Sequence, residues 1–549
     1  MEVSHAPSQA APPGAIRAKI PVVIAAFLAY WLLVVAFQTA VGARAEPFGG
    51  YADEAAHFMS GLLVRDYVTA GLPGSPLAFA SKYYTHMPFL AIGYWPPLFY
   101  GIEGFWMMLF GWDRATILLL SAFLAAAVAG TCFRVLTPWL GVPGAFLAGL
   151  LLLLTPSFQW SNCLVMTDTT LALFCLWFGL AFAAWVDKPS LGRAILTGVL
   201  LAAALFTKLN SIHLPLMVFF FLLFTNRWAI LRRPTFWLMP AVTLLLWGPW
   251  ILRTHSLLGI GFDGLVRPPM ATLLGALGRS LLTNLSWLIV PVMAGAVYIW
   301  KHERGNTVLV VCILLPLTYT SFLMAAGVMI EDRFLAPILT PSVILAGIGL
   351  RRLADWLRPK YLPGPLVIPA LAAVCVAGFA ATVGFHWHVR LENTISPVVA
   401  FLEKRERPED ASVLVPSSAE GPFIAQFATS DPQRPARLLA RPIKLLASEN
   451  WTGTSYRAKY ARVDDLVSVF DRFPLRFIIV ATHASPQEYE HDAQLRTMLQ
   501  THPERWIRVT MPSDTWSLYE RIDGRKLTAP AMEALAREVL EHRLQSVMR

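Results

Sequence analysis

The sequence predicts a polytopic α-helical membrane protein of about eleven spans, followed by a C-terminal extracytoplasmic α/β domain. Three observations carry that expectation. Of 549 residues, 56% are hydrophobic and only 15% charged, against about 25% charged in soluble domains, and the mean hydropathy is +0.53. Apolar runs of about 20 residues, each long enough to cross about 30 Å of hydrocarbon, recur down the chain. Beyond Phe385 the pattern changes to charged sequence in which short apolar strands alternate with helical periodicity. The net charge of +10 is not a nucleic-acid footprint, because much of the excess lies in short loops between spans, where cytoplasmic Lys and Arg set topology.

Residues 1–19 are Ala/Pro-rich, end in Arg17 and Lys19, and are expected to be a disordered cytoplasmic tail. Ile20–Val41 is followed by the A-x-A-like Ala43-Arg44-Ala45, yet it exceeds the 7–15 residues of a signal-peptide core and reads as a retained first span. The further spans are Thr116–Val135, Val142–Thr155, Leu171–Val186, Ala194–Phe206, Ile212–Phe224, Phe236–Leu252, Leu281–Trp300, Thr307–Ala326, Phe334–Leu350 and Leu362–Phe385. With the N-terminus inside, Arg17/Lys19, Lys188/Arg193, Arg227/Arg232/Arg233, Lys301/Arg304 and Arg351/Arg352/Arg358/Lys360 all fall on the cytoplasmic side. An odd span count then puts the C-terminus outside. Tyr94-Trp95-Pro96-Pro97 through Phe110 is too short for a span, and counting it would invert every later loop; it is placed as a helix in the outer interface. Residues 20–385 thus form the membrane domain and 386–549 the outer domain.

This topology gathers the ionisable groups on one face. Tyr51-Ala52-Asp53-Glu54-Ala55-Ala56-His57 opens the long first outer loop, which also carries Lys82 and His86. Asp168 lies in the second loop, Lys208 in the third, Arg253 and His255 in the fourth, and Glu331-Asp332-Arg333 in the fifth. Away from their ends the spans hold no Asp, Glu, Lys or Arg, and ionisable residues beside a span are functional candidates. Each has a plainer explanation. Asp53 and Glu54 suit a helix N-terminus, Asp168 an N-cap, Lys208 snorkelling, Arg333 a span anchor and His86 a structural role. Separate explanations of that kind do not account for acids and bases from several loops meeting at one leaflet.

In the outer domain the predicted strands are Ser412–Val415, Arg476–Val480, Trp506–Thr510 and Trp516–Tyr519, and the helices Val463–Phe470, Gln487–Leu499 and Met532–Val547. It shows no phosphate loop and no specific Ser/His/Asp arrangement. Asn450-Trp451-Thr452 matches the glycosylation sequon, a weak signal, and Trp451-Thr452-Gly453-Thr454-Ser455-Tyr456 is loop packing by default with a sugar platform as the alternative. The five cysteines form no CxxC or Cys/His metal pattern.

An acidic pair after the first span, an Asp opening the second outer loop, Thr-Lys after the fifth span and Asp-Arg-Phe before the tenth together resemble the GT-C glycosyltransferases. The branch they resemble is the family 39-like group of protein O-mannosyltransferases and lipid A aminoarabinose transferases, over roughly residues 20–350. The resemblance implies a GT-C-like catalytic domain that moves a sugar from a polyprenyl-phosphate donor to an acceptor (glycan, lipid or protein) at the outer face, with inversion. It implies Asp53 as the catalytic acid of the family, Asp168 as its second-loop Asp, and Lys208 and Arg333 beside the donor phosphate. Relatives of the aminoarabinose type carry a Lys before the paired prolines. Here Trp95 stands there, leaving phosphate binding to Lys82, His86 or Lys208.

The chemistry suits these residues. Transfer needs a base for the acceptor hydroxyl, Asp53 or Glu54, and positive charge for the departing phosphate, Lys208 and Arg333. No nucleotide is needed, no Asp-x-Asp implies a metal, and no nucleic-acid partner is expected. The expected location is a bacterial inner (plasma) membrane. The rival readings are an ion-coupled or lipid-linked-substrate transporter, which would place ionisable groups or broken helices at the midplane, and a scaffold whose outer domain binds a partner. Reporter fusions at Arg232 and at the C-terminus should give opposite signals; equal signals would mean a miscounted span, first of all at residues 94–110.

Overall fold

A computed structural model describes residues 18–539 except 92, 94, 261–266, 358–366, 385–391, 407–411, 432, 433, 435, 450–454 and 486–487. The N-terminal tail to residue 17, Tyr94, Arg358, Lys360, the sequon at Asn450, the stretch Trp451–Thr454 and residues 540–549 lie outside those residues.

The first helix, α1 (Ile20–Ala40), leads into three helices of the loop expected on the outer side, α2 (Glu54–Thr69), α3 (Pro76–His86) and α4 (Leu98–Phe110). There follow α5 (Arg114–Leu153), α6 (Pro156–Asn162), α7 (Asp168–Asp187), α8 (Leu191–Thr207), α9 (His213–Thr225), α10 (Pro234–Ile260), α11 (Met270–Leu285), α12 (Ile289–His302), α13 (Thr307–Ala326), α14 (Ala336–Leu357) and α15 (Val367–Val383). Over the described residues each predicted span falls on a helical segment; residues 362–366 and Phe385 of the last one lie outside them. Seven helical stretches are long and apolar enough to cross a membrane; α4, α8, α15 and the stretch Leu209–Thr225 are apolar but shorter. Helix α5 runs for 40 residues, about 60 Å at 1.5 Å per residue and twice a hydrocarbon core. It therefore contains two of the predicted spans, turned at Gly141 between Pro138 and Pro143, where φ is 70°. Only glycine adopts that conformation without strain. In α4, Phe99, Tyr100 and Gly104 are buried on the side facing α2, while Phe105, Leu109 and Phe110 stay exposed.

The C-terminal region contains α16 (Ser396–Arg405), β1 (Ser412–Leu414), α17 (Glu420–Ser430), β2 (Leu438–Ala440), α18 (Pro442–Leu445), β3 (Ala447–Ser448), β4 (Arg457–Ala458), α19 (Val463–Arg472), β5 (Phe477–Ala481), α20 (Glu490–Thr501), β6 (Trp506–Val509), β7 (Trp516–Arg521) and α21 (Ala529–Val539). Five strands form one sheet in the order β2-β1-β5-β7-β6, with β2, β1 and β5 parallel and β7 antiparallel to both β5 and β6. The sheet is covered on both faces. Val413, Phe477 and Ile479 join the core that includes α17 and the membrane helices, whereas Leu414, Ile478 and Val480 join a second core with α19 and α20. That double burial explains the unbroken apolar run Phe477-Ile478-Ile479-Val480. Where they are described, the expected strands and helices are present to within a few residues; Gln487 and the part of the expected helix Met532–Val547 beyond Val539 lie outside the described residues. Strands β2, β3 and β4 and helices α16, α17 and α18 go beyond the sequence expectation: β2 spans three residues, β3 and β4 two each, and α17 opens with Gly421-Pro422 in its first turn.

The outer loop and the C-terminal domain are joined directly. Arg434 pairs with Asp66 of α2 at 2.9 Å, Trp112 donates to the Thr429 carbonyl at 3.1 Å, and Arg434 and Arg65 both lie over the Trp112 ring. The C-terminal domain therefore rests on the same side of the bundle as Asp53.

Helices α12 and α14 cross backbone to backbone. A Cβ on Gly295 would collide with the Leu345 carbonyl, and one on Gly349 with that of Pro291. Small residues permit such close crossings between membrane helices. Gly349→Ala should therefore cost about 1–3 kcal/mol and lower the melting temperature in detergent, whereas Gly305→Ala, with open space at its Cβ, should leave it unchanged.

Candidate functional site

Asp53 and Glu54 are neighbours at the start of α2, and consecutive helical residues point about 100° apart. They therefore serve different partners. Glu54 turns inward and is wholly buried. Its Oε1 receives Arg114 Nη2 at 2.9 Å and the Val165 N–H at 3.3 Å, and its Oε2 the Gly50 N–H at 3.0 Å. Arg114 also donates to the carbonyls of Cys163, at 2.9 Å, and Ala43. Burial pushes the Glu54 carboxyl above its usual range, and Arg114 works against that shift. With its acceptor capacity used and no exposure, Glu54 does not fit the alternative role of base for an acceptor hydroxyl. It fits the role of a pin that fixes the first loop against the start of α5 and the loop before Asp168.

Asp53 turns the other way and keeps about 20% of its side chain exposed. It does not cap α2 through its side chain. Its Oδ2 accepts from Arg333 Nη1 at 3.1 Å, joining the start of α2 to the segment before α14 across 280 residues. Arg333 is only 7% exposed, which is unlike a residue anchored in an interface. Its Nε bonds Glu331 at 2.9 Å, its Nη2 bonds the Tyr51 hydroxyl at 3.0 Å, and its guanidinium lies 4.2 Å from the Tyr51 ring centroid. The Tyr51 hydroxyl in turn donates to Glu331 at 2.7 Å. Behind this loop Ser157 donates to the Asp332 carbonyl at 2.9 Å, and Asn284 holds the Ser157 N–H at 2.8 Å.

The second pair joins the other two loops. Lys208 Nζ bonds Asp168 Oδ1 at 2.7 Å, with side chains only 4% and 1% exposed. Asp168 makes no side-chain cap, and a lysine so enclosed is not snorkelling. Lys208 has extended backbone at the break after α8, which turns its side chain back into the bundle. There it lies 5.4 Å from the Trp95 ring and 4.9 Å from the Phe334 ring. Trp95 thus offers a π-face to a lysine from another loop. Asp168 Oδ2 is buried with no hydrogen-bond partner among the described residues.

His57 shows that the two pairs share one site. It lies one turn along α2 from Asp53, and Asp53, Lys208, Asp168 and Arg333 all act on its charge. Burial above all lowers its pKa to about 4, so the ring is neutral near pH 7. Its Nδ1 lies 2.9 Å from the Tyr100 hydroxyl. His57 belongs to the stretch singled out in the sequence, but its role was not foreseen; the i, i+4 spacing from Asp53 was the available signal. Lys82 is exposed on α3, and His86 bonds the backbone of Arg437 in the C-terminal domain. Neither is paired with the four charges, so the expectation that they bind phosphate has no support in this arrangement. Among the described residues no group of three His, Cys, Asp or Glu is placed to hold a metal ion.

Comparison with known proteins agrees with this fold. The family described as dolichyl-phosphate-mannose-protein mannosyltransferase matches residues 95–252, a stretch that includes Arg114, Asp168 and Lys208. The structure of ArnT from Cupriavidus metallidurans bound to undecaprenyl phosphate is similar, with a TM-score of 0.61 and 15% identity, over 92% of this chain and 99% of that one. The archaeal oligosaccharyltransferase AglB of Archaeoglobus fulgidus, in complex with an inhibitory peptide and a dolichol-phosphate, gives a TM-score of 0.51 and 11% identity over 83% of this chain and 69% of that one. No curated protein sequence matches. The chain has the GT-C fold that these structures share.

Removing one member of a buried ion pair strands the other. Arg114→Met should destabilise the protein by about 3–5 kcal/mol, read as a lower melting temperature, and Arg114→Met with Glu54→Leu should recover much of that loss.

Proposed function

We propose that the protein is a membrane glycosyltransferase that moves a sugar from a polyprenyl-phosphate donor to an acceptor hydroxyl at the outer membrane face, with inversion. One observation carries this reading. Two acids and two bases from four separate loops, Asp53, Asp168, Lys208 and Arg333, meet as two ion pairs around His57. The shared fold with ArnT supports it, and so does the match to a mannosyltransferase family.

The acceptor hydroxyl approaches Asp53, the most exposed of the four. Its Oδ1 accepts no hydrogen bond among the described residues and takes the hydroxyl proton. The acceptor oxygen forms a bond to the anomeric carbon as the carbon–oxygen bond to phosphate breaks. The electron pair leaves on the phosphate oxygen, and a single displacement inverts the anomeric centre. Lys208 and Arg333 stabilise the phosphate, exchanging part of their carboxylate contacts for it. Asp168 holds Lys208 in place before the donor arrives. The lipid tail lies among the spans and the C-terminal domain outside the membrane. The empty span interiors weigh against a transporter.

Asp53→Asn should abolish transfer in membranes supplied with radiolabelled polyprenyl-phosphate sugars while the protein remains folded. Hydrogen bonds to charged groups contribute about 1.5–3 kcal/mol, so Lys208→Ala and Arg333→Ala should each lower kcat/KM for the donor roughly ten- to a hundredfold. Arg333→Lys should recover only part, because Lys lacks the planar fork that here holds Asp53, Glu331 and Tyr51 together. Full turnover in Asp53→Asn would rule out this mechanism.

A further inference from the structure

The C-terminal sheet reverses its winding between β1 and β5. From β1 the chain passes to α17, on the face turned to α2, and returns as β2; from β5, on the other flank of β1, it passes to α20 on the opposite face. Open α/β sheets bind ligands in the crevice outside the carboxyl ends of strands at such a point. Here that position holds Ser417 from the loop after β1, His491 and Asp492 from the first turn of α20, and Tyr456 from the residues before β4. Separations of 74 and 75 residues hid this cluster from the sequence, in which no Ser/His/Asp arrangement was evident.

The hydrogen bonds run in one direction. Ser417 Oγ donates its single proton to Asp492 Oδ1 at 2.6 Å, so it must accept from His491 Nε2 at 2.9 Å. His491 Nδ1 is then the acceptor for the Tyr456 hydroxyl, 2.9 Å away. A histidine that carries its proton on Nε2 cannot act as base for Ser417, so this is not a serine-hydrolase centre. What the network does is fix Asp492 and the rings around it. Tyr456 and Tyr489 have centroids 5.0 Å apart, Tyr489 stacks on His491 at 5.5 Å, and both tyrosines are half-buried. Asp492 Oδ2 accepts no hydrogen bond among the described residues.

The charges at the rim decide the ligand class. Helix N-termini at a switch point commonly bind phosphate, but α17 begins with Glu420, and α20 carries Glu490 and Asp492 in its first turn. Arg441 is committed to Glu420 at 2.6 Å, and Arg496 to Glu488 and the Ala481 carbonyl. An anion would meet carboxylates and occupied cations. Aromatic faces beside a fixed carboxylate oxygen suit a neutral polyol. The crevice also adjoins the first outer loop: a Cβ on Gly421 would lie 3.0 Å from Ala55 Cβ and 2.7 Å from the Phe89 ring, two residues along α2 from Asp53.

We propose that this crevice binds a neutral, hydroxyl-rich ligand, the glycan portion of the acceptor, stacked on Tyr456 and Tyr489 with a hydroxyl donating to Asp492. That the ligand is the acceptor rests on the transferase reading. The test is binding of the full-length protein in nanodiscs to an array of neutral, anionic and phosphorylated oligosaccharides. Neutral glycans should be retained, and Tyr489→Ala and Asp492→Asn should each weaken retention about tenfold at an unchanged melting temperature, with Tyr489→Phe binding as the native protein does. Asp53→Asn should bind normally while transferring nothing, which separates a failure of this site from a failure of the transferase reading. Retention of anionic glycans alone, no retention of any neutral glycan, or native-like binding by both Tyr489→Ala and Asp492→Asn would overturn the proposal.

Discussion

The arrangement of the charged cluster depends on the buried pair of Arg114 and Glu54. Taking two charges out of water is costly, and their mutual attraction offsets that cost only when the remaining donors and acceptors are satisfied. Here the surrounding groups do most of that: Gly50, Val165, Cys163 and Ala43 supply backbone partners on both sides. Those partners come from the first outer loop and from the residues just before Asp168, while Arg114 itself opens α5. One ion pair thus clamps three segments together. Because Asp53 is the residue next to Glu54, the clamp also sets where Asp53 can reach.

From that clamp the site follows as a problem of burying charge. Three carboxylates, Asp53, Asp168 and Glu331, face two cations, Lys208 and Arg333, and the carboxylate in excess of the two cations is offset by solvent at Glu331, whose side chain stays 39% exposed, so the rest can be largely enclosed. The pairs are not equivalent. Asp168 and Lys208 are almost fully shielded, whereas Asp53 keeps about 20% exposure. The exposed member is suited to meet an incoming group, and the shielded pair to set the field it enters. A neutral His57 between them fills space without adding a further charge.

Much of this was legible in the sequence, for a physical reason. Lipid excludes charge, so an ionisable residue at a span end stands out, and parity places it on one face. Asp53, Asp168, Lys208 and Arg333 were all found that way. The division of labour between Asp53 and Glu54 was not legible, because adjacent carboxylates look alike until a helix turns them apart. Arg114, two residues before the second span, carries the same signal, but nothing in the sequence pairs it with Glu54, 60 residues away. In the C-terminal domain the apolar runs announced β5 and β7, while β2 was too short to show a period. Ser417 and His491 carry no spacing that could announce a contact which only the sheet order creates.

The two domains meet through shared packing more than through surface charge. Val413, Phe477, Phe423 and Phe427 of the sheet and α17 belong to the same continuous core as Phe58, Leu62 and the membrane helices. A domain so attached is not free to swing on a linker, since moving it would expose that core to water. The glycine at position 421 brings α17 against the very helix whose first residue is Glu54. The pin at Arg114, the proposed base Asp53 and the proposed crevice at Asp492 are therefore linked through α2. An acceptor held by the C-terminal domain, as proposed, would meet the proposed transfer site at a spacing set by that helix and by the loops on either side of it.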